Sequence, residues 1–191
     1  THALNRVNYV IGMLNYVIAT ASPLRNSVIV DSLTPVDLIV ASGGEPLLHR
    51  EFMIYLATRA AATGRQMEIE TNATIAPGAD LVATGVAFNA GLKLATSAVP
   101  VKKRIKREVI AELQATGRTR WKFVISGPED LAEVSDLVAE FGLTEVWLSP
   151  EGRTADHVLT GMRSLADFAL LHGWNLTGRD HVLIWGDLRG R

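Results

Sequence analysis

Asp37-Leu-Ile-Val-Ala-Ser-Gly-Gly-Glu-Pro-Leu-Leu48 joins a short apolar run to two glycines, an acid and a proline. The run Asp37–Ala41 has the length and β-branched content of a buried strand. Leu47, Leu48, Phe52, Tyr55 and Leu56 then recur at helical spacing, and Gly64 closes a helix expected over Pro46–Thr63. Strand, tight turn and helix in that order form one unit of a parallel α/β fold.

The same alternation continues along the chain. Strands are expected at Met67–Glu70, Gly85–Phe88, Trp121–Ile125, Glu145–Leu148 and His181–Ile184. Helices are expected at Lys103–Ala115, where Ile105, Val109, Ile110 and Leu113 form one stripe, at Pro128–Phe141 and at about Thr160–His172. Repeated units of this kind imply parallel strands joined by right-handed crossovers. The pattern fits an open parallel sheet or an incomplete barrel; a full barrel needs ~250 residues, against 191 here. No linker, repeat or low-complexity tract interrupts it, so a single domain over 1–191 is expected.

Composition narrows the chemistry. The chain is 48% hydrophobic and 20% charged, with 19 basic and 20 acidic side chains, as in folded globular proteins. A net charge of −1 provides no basic field for nucleic acid. The basic run Lys102-Lys-Arg-Ile-Lys-Arg107 is read as a solvated helix face. No apolar run approaches the ~20 residues of a membrane helix, and Asn5, Arg6, Asn8 and Asn15 interrupt the opening stretch. A cytoplasmic location, with neither membrane nor nucleic acid as partner, is the expectation. There is no cysteine, which excludes thiolate nucleophiles and cysteine-held zinc or iron–sulfur clusters in this chain. The histidines His2, His49, His157, His172 and His181 show no metal-ligand spacing. The four tryptophans flank or lie in the expected strands and read as core or rim anchors.

In parallel α/β folds, chemistry collects at the carboxyl ends of the strands. The loops there are Ser42–Pro46, Glu70–Thr74, Asn89–Lys93, Ser126-Gly127, Ser149–Arg153 and Gly186-Asp187. Two glycines at Gly43 and Gly44 let the backbone approach a ligand, and Glu45 can meet an ammonium. A tight turn with an acid at the helix start explains the same residues. Glu70, Thr71 and Asn72 end a strand, although alternation with Met67 and Ile69 also makes Glu70 a solvent-facing residue. Lys93 alone reads as a surface lysine. His181 stands beside Arg179 and Asp180 at the mouth of the last expected strand.

Taken in order, these segments resemble the 7-carboxy-7-deazaguanine synthase family of radical S-adenosylmethionine enzymes in the queuosine pathway. The resemblance rests on Ser42-Gly-Gly-Glu-Pro-Leu-Leu48, Glu70-Thr-Asn72, Phe88-Asn-Ala-Gly-Leu-Lys-Leu94 and Trp121-Lys-Phe-Val-Ile125. Ser149-Pro-Glu-Gly152, Gly173-Trp174 and Arg179-Asp-His-Val-Leu-Ile-Trp-Gly-Asp-Leu-Arg-Gly190 complete it. It implies an α/β fold, an incomplete barrel of mostly parallel strands with flanking helices. It implies a four-iron cluster on a CxxxCxxC-type loop, magnesium near the substrate, and a homodimer. The cluster cleaves S-adenosylmethionine, and the radical acts on 6-carboxytetrahydropterin. By resemblance, Gly43, Gly44 and Glu45 hold the methionine end of the cofactor. Lys93, Ser149, Pro150, Glu151 and Gly152 contact the cofactor too, while Ser42, Glu70, Thr71, Asn72 and His181 line the substrate.

The departures from the family pattern are as specific. Asn15-Tyr-Val-Ile18 stands where the family has glutamine-glycine-glutamate-glycine, Asp31 follows the Ser27–Val30 strand where it has a substrate-binding arginine, and Gly91-Leu-Lys93 replaces Ser-Pro-Lys. After Leu33 the chain passes straight to Thr34-Pro35, without the cysteine loop and its neighbouring magnesium ligand. No catalytic residue and no metal ligand is therefore assigned. Two readings follow: a divergent homologue without the cluster, kept as a binding module for S-adenosylmethionine or a pterin or as an inactive dimer partner, or an enzyme whose cysteine loop is missing from this sequence.

Overall fold

The computed structural model describes residues 37–186. Asn15–Ile18, Ser27–Asp31, the Leu33–Thr34 junction and the tail from Asp187 lie outside the described residues. The described chain forms two compact units, one of residues 37–70 and 78–87, the other of 71–77 and 88–186.

In the first unit, β1 (Leu38–Ala41) pairs in parallel with β2 (Gln66–Thr71, which ends in the second unit), Ala41 in register with Ile69. Ile39, Ala41, Met67 and Ile69 are buried, as the apolar run requires. The helix expected from Pro46 begins as a 3-10 turn, Pro46–His49, and becomes α1 only at Arg50–Ala62. Pro46 supplies no N–H at the first position, and the Glu45 carboxylate accepts from the Leu47 N–H at 3.2 Å. Gly64, at φ +71°, turns the chain into β2. A short helix absent from the sequence reading, α2 (Ala79–Ala83), packs on α1, and Arg50 pairs with Asp80 at 3.7 Å.

In the second unit, β3 (Ala87–Ala90), β4 (Thr119–Ile125), β5 (Val146–Pro150) and β6 (Asn175–Leu176) pair in chain order, all parallel. The order never reverses, as in a partial barrel and unlike a doubly wound sheet. The fold class is α/β, of parallel strands with flanking helices. A 3-10 turn (Ala95–Ser97) and the helices α3 (Val101–Arg104), α4 (Arg107–Ala115), α5 (Pro128–Phe141), α6 (Ala155–His172) and α7 (Asp180–Trp185) complete the unit. Helix α5 packs on β4, and α6 packs on β5 and β6. Trp121, Phe123 and Ile125 face this packing and are buried, each contributing about 1.5–3 kcal/mol.

Several expectations are corrected. The strand expected at Gly85–Phe88 begins at Ala87, because Gly85 at φ +84° belongs to the turn after α2. The Lys103–Ala115 helix is two helices, broken at the extended Ile105. Arg104 is buried rather than on a solvated face, and its guanidinium is drawn to the Lys93 carbonyl and to Glu133. Ser149 and Pro150 are strand residues, not turn residues. Helix α6 starts five residues early because the Thr154 hydroxyl accepts from the His157 N–H. His181–Ile184 is helical: the Val182 and Leu183 N–H groups bond the Arg179 carbonyl, and the strand beside β5 is Asn175–Leu176. Trp185 is therefore a half-exposed helix end, whereas Trp174 packs against Phe168 and His172.

Candidate functional site

The first unit carries Ser42, Gly43, Gly44, Glu45 and Glu70. The β1–β2 ladder ends at Ala41 and Ile69, and just beyond it the Ser42 hydroxyl donates to the Glu70 carboxylate at 2.5 Å. Gly43 and Gly44 have φ of +99° and +55°, which a side chain resists, and a Cβ on Gly44 would meet nothing within 4 Å. The main chain there is bare enough for a ligand to lie against it. Glu45 is nearly buried and occupied in part by the Leu47 N–H, so it shapes the loop as well as offering charge.

The second unit carries Thr71, Asn72, Lys93, Ser149, Pro150, Glu151, Gly152 and His181. The Thr71 carbonyl accepts from the Gly91 N–H at 2.8 Å, holding Thr71 beside the loop that carries Lys93. The Thr71 hydroxyl turns back to the Ala73 N–H, and Asn72 binds Thr74. Lys93 is exposed at its side chain while its carbonyl is fixed by Arg104. The Glu151 N–H bonds the Ile125 carbonyl at 2.8 Å, joining the ends of β4 and β5. Arg179 donates to the Gly152 carbonyl at 2.6 Å and so ties the start of α7, where His181 lies, to the Glu151-Gly152 turn.

The loop after β3 is set by carboxylates that the sequence reading passed over. Glu133 accepts from the Ala95 N–H at 2.7 Å and pairs with Arg104 at 2.6 Å. Asp130, 1% exposed, accepts from Thr96 at 2.8 Å and from the Ser126 N–H at 2.7 Å. Both acids sit in the first two turns of α5, where acids ordinarily read as helix-dipole partners, so no sequence signal separates them. Lys122, within the Trp121–Ile125 strand, and Trp147, an expected core or rim anchor, likewise carry no sequence signal of a site. The Ser149 hydroxyl and the Trp147 indole nitrogen are both buried and, among the described residues, without a hydrogen-bond partner. Among the described residues no cluster of three or more metal-ligating side chains occurs.

No model of a protein family matches the chain. The 7-carboxy-7-deazaguanine synthase of Halobacterium salinarum is 31% identical over 177 residues, spanning 83% of this chain and 68% of that protein. The chain belongs to the 7-carboxy-7-deazaguanine synthase family. The synthase of Pyrobaculum aerophilum is 28% identical over 164 residues, spanning 84% of this chain and 70% of its own. That of Hyperthermus butylicus is 29% identical over 153 residues, with 77% and 65% spanned. As a member of the family the chain departs in one respect of direct chemical consequence: it contains no cysteine at all. No described helix is long and apolar enough to cross a membrane.

Proposed function

We propose that this chain is a cluster-less member of the synthase family that binds S-adenosylmethionine and a pterin-type ligand without performing the radical reaction. The backbone of Gly43 and Gly44 carries the reading: both have positive φ, which favours residues without a side chain, and the space a Cβ on Gly44 would enter is open to a ligand. In the first unit, Gly43, Gly44 and Glu45 bind the amino-acid end of the cofactor, and Ser42 and Glu70 face the substrate. In the second, Lys93 and Ser149–Gly152 meet the cofactor, and Thr71, Asn72 and His181 meet the substrate. Magnesium is not part of the proposal, since the residue that would hold it is missing along with the cysteines. We place the protein in the cytoplasm as a single domain and a homodimer.

S-adenosylmethionine supplies a sulfonium whose reductive cleavage needs an electron from a low-potential cluster. The cluster does not fit this chain. It requires thiolates, and the five histidines lack ligand spacing. The remaining residues bind and orient; no bond-breaking step is assigned to them.

Titration calorimetry with S-adenosylmethionine tests the binding, with heat release and a raised Tm expected. The absence of both heat and a shift overturns it. A second reading, an active lyase whose loop is absent from this sequence, is favoured by the direct passage from Leu33 to Thr34-Pro35. Sequencing the gene across that junction decides between them, since a CxxxCxxC there removes the cluster-less reading.

A further inference from the structure

Strands β4 and β5 present two chemically different faces. Trp121, Phe123 and Ile125 are buried on the side where α5 packs. On the neighbouring strand, a Cβ on Gly161 of α6 would lie 2.5 Å from the Pro150 Cβ, so Pro150 and, by alternation, Leu148 and Val146 face the helices. Lys122, Trp147 and Ser149 therefore point to the opposite face. Lys122 is in register with Trp147, and Val124 with Ser149. Adjacent strands lie ~4.8 Å apart, and residues two apart on one strand ~6.6 Å, so the three groups occupy a patch of small-molecule size.

All three are donors. The Lys122 ammonium makes no ion pair within the described residues. The Trp147 Nε1 and Ser149 Oγ are buried and have no partner among the described residues, and Ser149 is fully buried. The contrast is with Trp121 on the next strand, whose Nε1 donates to Gln114 Oε1 at 2.7 Å. Buried donors without acceptors are costly, and two on alternate residues of one strand need a common explanation. No carboxylate occupies this face within β3, β4, β5 or β6.

We propose that Lys122, Trp147 and Ser149 form a subsite for the carboxylate of a small heterocyclic ligand. The ammonium supplies the charge, and the indole N–H and the hydroxyl supply directed donors to the carboxylate oxygens. The subsite rests on the binding function proposed above and gives it a specificity determinant. Both S-adenosylmethionine and a carboxylated pterin carry the required group, so the test separates them.

Three probes are titrated calorimetrically into the wild-type chain, Lys122→Gln and Trp147→Phe: S-adenosylmethionine, 6-carboxypterin and 6-methylpterin. The expected result is a loss of about tenfold or more for 6-carboxypterin in Lys122→Gln, with 6-methylpterin unchanged. A smaller loss of several-fold is expected in Trp147→Phe, which keeps the ring and removes the donor. A loss confined to S-adenosylmethionine overturns the subsite, because the amino-acid end of that cofactor is assigned to Gly43, Gly44 and Glu45. Equal affinity of wild type and Lys122→Gln for a ligand that does bind overturns the subsite and leaves the binding function standing. Equal weakening of both pterins overturns it as well, since that change ignores the carboxylate. If the wild type binds none of the three probes, the binding function and the subsite fall together.

Discussion

Arg104 Nη1 lies 2.6 Å from Glu133 Oε1 and donates to the Lys93 carbonyl at 2.8 Å. One buried guanidinium thus joins the helix after β4 to the loop after β3, and Glu133 completes the tie through the Ala95 N–H. Removing one partner leaves a charge buried without its counterpart, which costs more than the intact pair contributes. Arg104→Met is expected to lower stability by about 3 kcal/mol, read as a fall in the urea midpoint at unchanged slope. Replacing both Arg104 and Glu133 with apolar residues is expected to cost less than the single change.

Asp130 accepts from Thr96 and from the Ser126 and Gly127 N–H groups while almost fully buried. Asp130→Ala is expected to cost about 2–3 kcal/mol, because two backbone donors lose a charged acceptor. Asp130→Asn, which keeps one carbonyl oxygen, is expected to recover part of that loss in the same denaturation measurement.

Gly161 lies within helix α6, where alanine ordinarily stabilises by about 1 kcal/mol. Here the added Cβ meets the Pro150 Cβ at 2.5 Å. The expected sign is therefore reversed, with Gly161→Ala destabilising by about 1–3 kcal/mol through displacement of α6 from β5. A double-mutant cycle with Pro150→Gly is expected to show coupling; strict additivity would separate the helix from the strand at this point.

Gly44→Ala distinguishes a ligand site from a turn. The left-handed backbone at φ +55° makes alanine cost about 1 kcal/mol of stability, and among the described residues nothing obstructs its Cβ. A ligand lying on that backbone would be obstructed, so affinity for S-adenosylmethionine is expected to fall more than tenfold while Tm moves by only a few degrees. An unchanged affinity places the ligand elsewhere.

Much of this molecule is determined by the sequence read on its own. Apolar runs of strand length alternate with stripes at helical spacing, and that periodicity carries the parallel α/β class, the Pro128–Phe141 helix and the buried β1. The ordered loop motifs carry the family, and the absence of cysteine carries its chemical limit. Tertiary structure decided what depends on register and competition. Ser42 meets Glu70 across 28 positions because β1 and β2 align Ala41 with Ile69. The apolar run at His181–Ile184 becomes a helix because Asn175–Leu176 holds the ladder position beside β5. Arg104 leaves the basic surface because a carbonyl and a carboxylate from distant segments meet it in the interior. Local pattern records which side chains avoid water, whereas the partner each polar group finds is set by the packing of segments far apart in the chain.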